Sequence, residues 1–313
     1  MSYTGPGFDP PQPRRSRRGP LTVALAALVP GALLGWAVYA AVDGSGGDEG
    51  PGSTAASASP SASASSRTSS PAPSAGSEDE KPSASAAASG PLKGRVVVID
   101  PGHNPENFKH TAEINRQVDI GTNRKECDTT GTSTDDGYAE ADFTLDVAHR
   151  MRTLLEKQGA TVKLTQDGDR PFGPCVDERA RIGNEAEADA VVSIHADGSG
   201  TGNRGFHVIL PGAVDAGAAD TRAIVGPSED LGTRVAGNFV RVTGSAPSNY
   251  VGGGTGLVTR KDLGGLNLST VPKVFIECGN MRDSKDAALL TSGAWRQKAA
   301  QGISDGIVSF LRG

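Results

Sequence analysis

Arg95-Val96-Val97-Val98-Ile99-Asp100-Pro101-Gly102-His103 is the stretch on which the fold turns. Its β-branched run, stopped by Pro-Gly, predicts a strand covered on both faces, then a turn with a histidine just beyond. Two more runs have the same form: Ala190-Val191-Val192-Ser193-Ile194-His195 and Val274-Phe275-Ile276-Glu277. Each ends in a side chain that can bind a metal or move a proton. A fourth strand is expected at residues 161–165. Between the strands, residues 141–158 carry Phe143, Val147, Met151, Leu154 and Leu155 at helical spacing, with Gly159 as the stop. Residues 176–188 and 295–311 read as two further helices. Strands alternating with helices predict a single α/β domain whose mostly parallel or mixed twisted sheet is flanked by helices. In such sheets ligands sit beyond the carboxyl ends of the strands, where all three reactive side chains fall.

Upstream of this domain the composition changes. Residues 1–20 hold Arg14-Arg15-Ser16-Arg17-Arg18 and read as a basic cytoplasmic N-terminus. Residues 21–42 form an uncharged run long enough to cross about 30 Å of hydrocarbon as a helix. The preceding arginines keep the near side cytoplasmic, so the remainder is translocated. The run is read as a single-pass anchor in the cell membrane, with a cleaved signal segment and a secreted product as the alternative. Residues 43–93 are rich in Ser, Ala, Pro and Gly and cannot bury enough apolar surface to order. They predict a disordered tether with a typical reach of roughly 40 Å. That leaves 94–313 as the catalytic domain. The formal net charge of −5 over 313 residues argues against nucleic acid as a partner.

The chemistry rests on residues that mean little singly. His103 and His195 each follow a strand, and Glu140 opens a helix in Gly137-Tyr138-Ala139-Glu140. Two neutral imidazoles and one carboxylate with a fourth position open make the donor set of a catalytic Zn2+ site, whereas a structural site is normally closed.

Taken in order, these motifs resemble the zinc-dependent N-acetylmuramoyl-L-alanine amidases, in an actinobacterial-type variant. The similarity runs over residues 94–313. It is carried by Asp-Pro-Gly-His at 100–103, Glu140, Glu178-Arg179-Ala180-Arg181-Ile182-Gly183-Asn184-Glu185, Ser-Ile-His-Ala at 193–196, and Val274 to Met281. The resemblance implies that His103, Glu140 and His195 hold zinc and that Glu277 serves as general base and then acid. It implies peptidoglycan as substrate, cut between N-acetylmuramic acid and the L-alanine of the stem peptide, by a monomer. A zinc peptidase acting on the stem peptide and a noncatalytic peptidoglycan-binding protein on the same fold are the alternatives. The chain departs from the common pattern after His103, where Asn104-Pro105-Glu106-Asn107 replaces a Gly-rich turn.

The remaining reactive side chains receive plainer readings. His149 belongs on the surface of its helix, His207 on a strand near the cleft, and neither they nor His110 are read as ligands. In an exported protein Cys127 and Cys175 can form a disulfide, while Cys278 faces the core as a free thiol, turned away from Glu277 by strand alternation. Asn115, Arg116, Gln117 and the 127–134 segment either shape the substrate groove or form a stapled surface loop. The 211–256 stretch lacks a long apolar plug and predicts an open cleft.

Overall fold

The structure, a computed structural model, describes residues 90–313. The 1–20 and 21–42 segments and nearly all of the 43–93 tether lie outside the described residues. Among the described residues no helix is long and apolar enough to cross a membrane. Leu92, on the tether side of the boundary read at 94, is fully buried and donates its N–H to the Gln158 carbonyl, so the packed domain starts slightly earlier.

In chain order, β1 (Val96–Pro101) leads to a short helix α1 (Thr111–Ile114), the hairpin of β2 (Gln117–Asp119) and β3 (Arg124–Glu126), and the long α2 (Glu140–Lys157). Then come β4 (Thr161–Leu164), α3 (Val176–Glu185), β5 (Ala190–Asp197) and β6 (His207–Pro211). A small hairpin, β7 (Asp215–Ala216) with β8 (Ala219–Asp220), precedes α4 (Val225–Thr243) and β9 (Leu257–Arg260). The chain closes with α5 (Gly264–Asn267), β10 (Lys273–Asn280), α6 (Ser284–Leu290) and α7 (Gly293–Arg312).

The described residues form a six-stranded sheet in the order β4-β1-β5-β10-β6-β9. The first four are mutually parallel, β6 runs antiparallel to β10, and β9 is parallel to β6, which gives the mixed sheet expected. Alternation along β1, β5 and β10 divides the side chains between two layers. Val97, Ile99, Val192, Ile194, Val274 and Ile276 pack under α2, α4 and α7 against Phe143, Met151, Phe239 and Ile303. Burying each such side chain contributes roughly 1.5–3 kcal/mol. Val98 and Val191 face the other way, against Ile182 and Ala188 at α3. Asp100, Ser193, His195 and Glu277 share this second parity, so the reactive groups lie on the thinner α3 side of the sheet.

Two elements differ from the sequence reading. The helix expected at 176–188 stops at Glu185, because Glu187 turns into the left-handed region with φ 47°. The 211–256 stretch contains α4, whose Leu231, Val235 and Phe239 recur at helical spacing although Gly226, Gly232 and Gly237 lower its intrinsic propensity. Tertiary packing overrides this: α4 lies so close to α7 that a Cβ on Gly306 would be 2.5 Å from the Val235 Cα.

Candidate metal centre

The loop after β1 turns sharply, with His103 at φ 63°, an unusual value for a residue other than glycine. This conformation sends the imidazole toward β5 and α2. His103 Nδ1 lies 3.1 Å from the Thr129 carbonyl, the acceptor of an Nδ1–H, and this leaves Nε2 facing Glu140 Oε2 at 3.2 Å. His195, at the end of β5, places Nδ1 3.0 Å from Glu140 Oε1. The two imidazoles meet edge to face with centroids 5.0 Å apart. Glu140 heads α2 and is itself held: Oε1 accepts from the Ala196 N–H and Oε2 from the Thr132 N–H.

One donor atom from each of His103, Glu140 and His195 lies within 4.8 Å of the others. Zinc–nitrogen bonds near 2.0–2.1 Å in a tetrahedron put donor atoms about 3.3 Å apart, close to the 3.0 and 3.2 Å contacts here. The residues therefore fit a zinc ion by donor type, spacing and partial burial. Two glycines make the convergence possible. A Cβ on Gly102 would lie 2.3 Å from the His195 ring, and one on Gly131, at φ 74°, would lie 2.8 Å from both Glu140 and His103.

Charge in this site is strongly coupled. Burial opposes charging His103, but Glu140 and Asp128 override it and hold its pKa well above the ordinary imidazole value. Burial also disfavours ionised Glu140, yet His103 and His195 hold its carboxyl far below the usual range. Glu277, the ladder partner of His195, is pushed well up by burial and by the Glu140 and Asp197 carboxylates, with His103 and Arg260 opposing. Its Oε2 is buried and has no hydrogen-bond partner among the described residues.

Behind the site lies an ion network that the motif reading quoted without a role. Arg179, on α3, donates to Asp100 at 2.8 Å, to Asp128 at 3.0 Å and to the His103 carbonyl at 2.7 Å. Lys273 Nζ reaches the other Asp100 oxygen at 3.0 Å. The only advance signal was a carboxylate ending an apolar strand and an arginine inside a helix. The network ties the turn that carries His103 to α3 and β10.

A cleft of about 230 Å³ opens beside the histidines, lined by Lys125, Glu126, Thr129, Asp262 and Phe275 among others. Phe275 stacks on His195 with an interplanar angle of 4°. Cys127 and Cys175 are bonded, with an S–S distance of 2.07 Å. The 127–134 segment is thus both stapled and part of the groove wall, whereas Asn115, Arg116 and Gln117 stay outside the cleft lining. Cys278 is buried and unbonded as expected. A larger cavity of about 570 Å³, lined by Arg204, Cys278 and Trp295 among others, contains none of the four site residues. His149 is partly exposed beside Asp167, and His110 pairs with Glu113 at 3.5 Å, both away from the donor cluster.

Comparison with known proteins agrees with this geometry. A model of the N-acetylmuramoyl-L-alanine amidase family matches residues 97–309. The chain is 40% identical over 222 residues to N-acetylmuramoyl-L-alanine amidase Rv3717 of Mycobacterium tuberculosis, covering 70% of this chain and 88% of the relative. The crystal structure of the N-acetylmuramyl-L-alanine amidase Ami1 from Mycobacterium smegmatis matches with 41% identity and a TM-score of 0.64, over 70% of this chain and 98% of that one. The apo form of Ami1 from Mycobacterium abscessus matches with the same identity and TM-score, over 70% and 100%. A family match across the whole described core, joined to this relative, shows that the chain belongs to the N-acetylmuramoyl-L-alanine amidase family.

Proposed function

We propose that the protein is a zinc-dependent peptidoglycan amidase, hydrolysing the bond between the lactyl group of N-acetylmuramic acid and the L-alanine of the stem peptide. The observation that carries the reading is the convergence of His103, Glu140 and His195 beside Glu277, a half-buried residue whose buried Oε2 lacks a partner among the described residues. Zinc held by these three residues supplies Lewis acidity, which acidifies water and polarises the scissile carbonyl. Glu277 takes a proton from the attacking water as its oxygen bonds to the lactyl carbonyl carbon. It returns that proton to the alanine nitrogen as the carbon–nitrogen bond breaks. A carboxyl whose pKa is raised by burial suits a group that must take up a proton and then hand it on. The cleft beside His103 and His195 receives the peptide side of the substrate.

The four side chains come from one chain, so the reading needs no second copy. Residues 21–42 anchor the protein in the membrane, or are removed as a signal segment, and 43–93 carry the domain outward to the wall.

Mass spectrometry of muropeptides treated with the zinc-loaded full chain tests this. Free stem peptide beginning with L-alanine, absent with Glu277→Gln, is expected. Cuts only within the peptide indicate a peptidase, and bound zinc without cleavage indicates a binding protein.

A further inference from the structure

Next to Glu277 stands a second buried polar atom that the proposed reaction leaves unused. On β6, His207 is the antiparallel ladder partner of Glu277, as His195 is its parallel partner on β5. The three side chains therefore form one row across the same face of the sheet. Directly paired residues hold their Cβ atoms about 5 Å apart, so the His207 ring and the Glu277 carboxylate are immediate neighbours. His207 is buried, and its Nδ1, like Glu277 Oε2, has no hydrogen-bond partner among the described residues.

Two orphaned atoms side by side, a nitrogen able to donate and an oxygen able to accept, are costly apart and complementary together. Burial pushes the His207 pKa down, which favours a neutral ring with one N–H to give. The charged and titratable groups facing it are Glu277 on β10, Asp197 at the end of β5, Arg260 on β9 and Tyr250 in the loop before β9. Tyr250 meets the imidazole edge to face, with centroids 5.9 Å apart and planes at 89°. Its hydroxyl is anchored by donation to Asp197 Oδ2 at 2.6 Å. Tyr250, tied to Asp197, thus packs against the His207 ring and limits its rotation.

We propose that His207 is a positioning residue for Glu277, its Nδ1–H donating to Glu277 Oε2 after a small turn of the imidazole, with the Asp197–Tyr250 pair holding the ring for that bond. The inference rests on Glu277 acting as the base. Hydrogen bonds of this kind are commonly long in a free site and tighten when substrate binds. Fixing one carboxylate oxygen aims the carboxylate at the water it must deprotonate.

The test uses the zinc-loaded full chain with muropeptide substrate. His207→Phe keeps the ring volume and the contact with Tyr250 but has no N–H. The expected result is a fall in kcat of about 10- to 100-fold, the range for removing an outer-shell partner. KM, zinc content and Tm stay at wild-type values. His207→Asn, whose amide N–H can stand near the place of Nδ1, recovers most of the lost kcat. Wild-type kcat in His207→Phe, with Glu277→Gln inactive, overturns the inference and leaves the base assignment standing. An Asn variant no better than Phe overturns it as well, since packing alone then explains the loss. Activity in Glu277→Gln removes the base and the inference together. Should His207→Phe fail to fold, Tyr250→Phe carries the test: a several-fold fall in kcat at unchanged KM supports the brace, and no fall overturns it.

Discussion

Gly102 lies flat against the His195 ring: a Cβ built on it would fall 2.3 Å from Cε1 and 2.5 Å from Nδ1. A proposed ligand at the end of one strand is thus held in place by the missing side chain of the turn after another. Gly102→Ala must push the imidazole away from Glu140. Zinc affinity is expected to fall by about 10- to 100-fold or more, read by competition with a chromogenic chelator. The far-ultraviolet circular dichroism should stay unchanged, because the sheet does not depend on that contact.

Arg179 neutralises two buried carboxylates, Asp100 and Asp128. Arg179→Met keeps much of the side-chain length and leaves Asp128 with His103 alone and Asp100 with Lys273 alone. Breaking a buried pair from one side costs about 3–5 kcal/mol. Urea unfolding of the chelator-treated protein should show a loss of this size, and an unchanged midpoint would remove the network from the account of stability.

Acid should weaken the same network. Burial disfavours ionised Asp128, but Arg179 and His103 override it and lower its pKa to about 2. Asp100 is held still lower by Lys273 and Arg179 against its own burial. Unfolded aspartates titrate near 3.9, so the ionised forms stabilise the fold. This contribution is complete above about pH 4 and is lost as the pH falls toward 2, and for Asp128 it amounts to roughly 2–3 kcal/mol. Stability of the metal-free protein, measured against pH, should drop across this window. The drop should be shallower in Asp128→Asn.

The Cys127–Cys175 bond spans 48 positions and joins the segment lining the cleft to the start of α3. Closing a loop of that length stabilises by about 4 kcal/mol in the chain-entropy account. Cys127→Ser with Cys175→Ser should lower the urea midpoint accordingly. KM should rise and zinc affinity should fall together, because Thr129 lines the cleft and accepts from His103 while the Thr132 N–H donates to Glu140.

The sequence alone singled out the residues proposed to carry the chemistry and located the principal strands. Apolar β-branched runs ending in His or Glu can be read in one dimension, because burial on both faces demands them and the strand end presents the next side chain to solvent. The helices of residues 140–157 and 293–312 were legible for a similar reason, their core positions recurring at helical spacing. Only the tertiary structure decided the rest. The stability of α4 comes from its close approach to α7, which outweighs the low propensity of its glycines. Strand order and the reversal of β6 set His207 beside Glu277, seventy positions away in the chain, and nothing local to either residue encodes that pairing. Arg179 reads as an ordinary helix arginine until folding buries it between Asp100 and Asp128. Local pattern specifies elements because each buries its own face, whereas neighbours across a sheet follow from how all the faces are buried together.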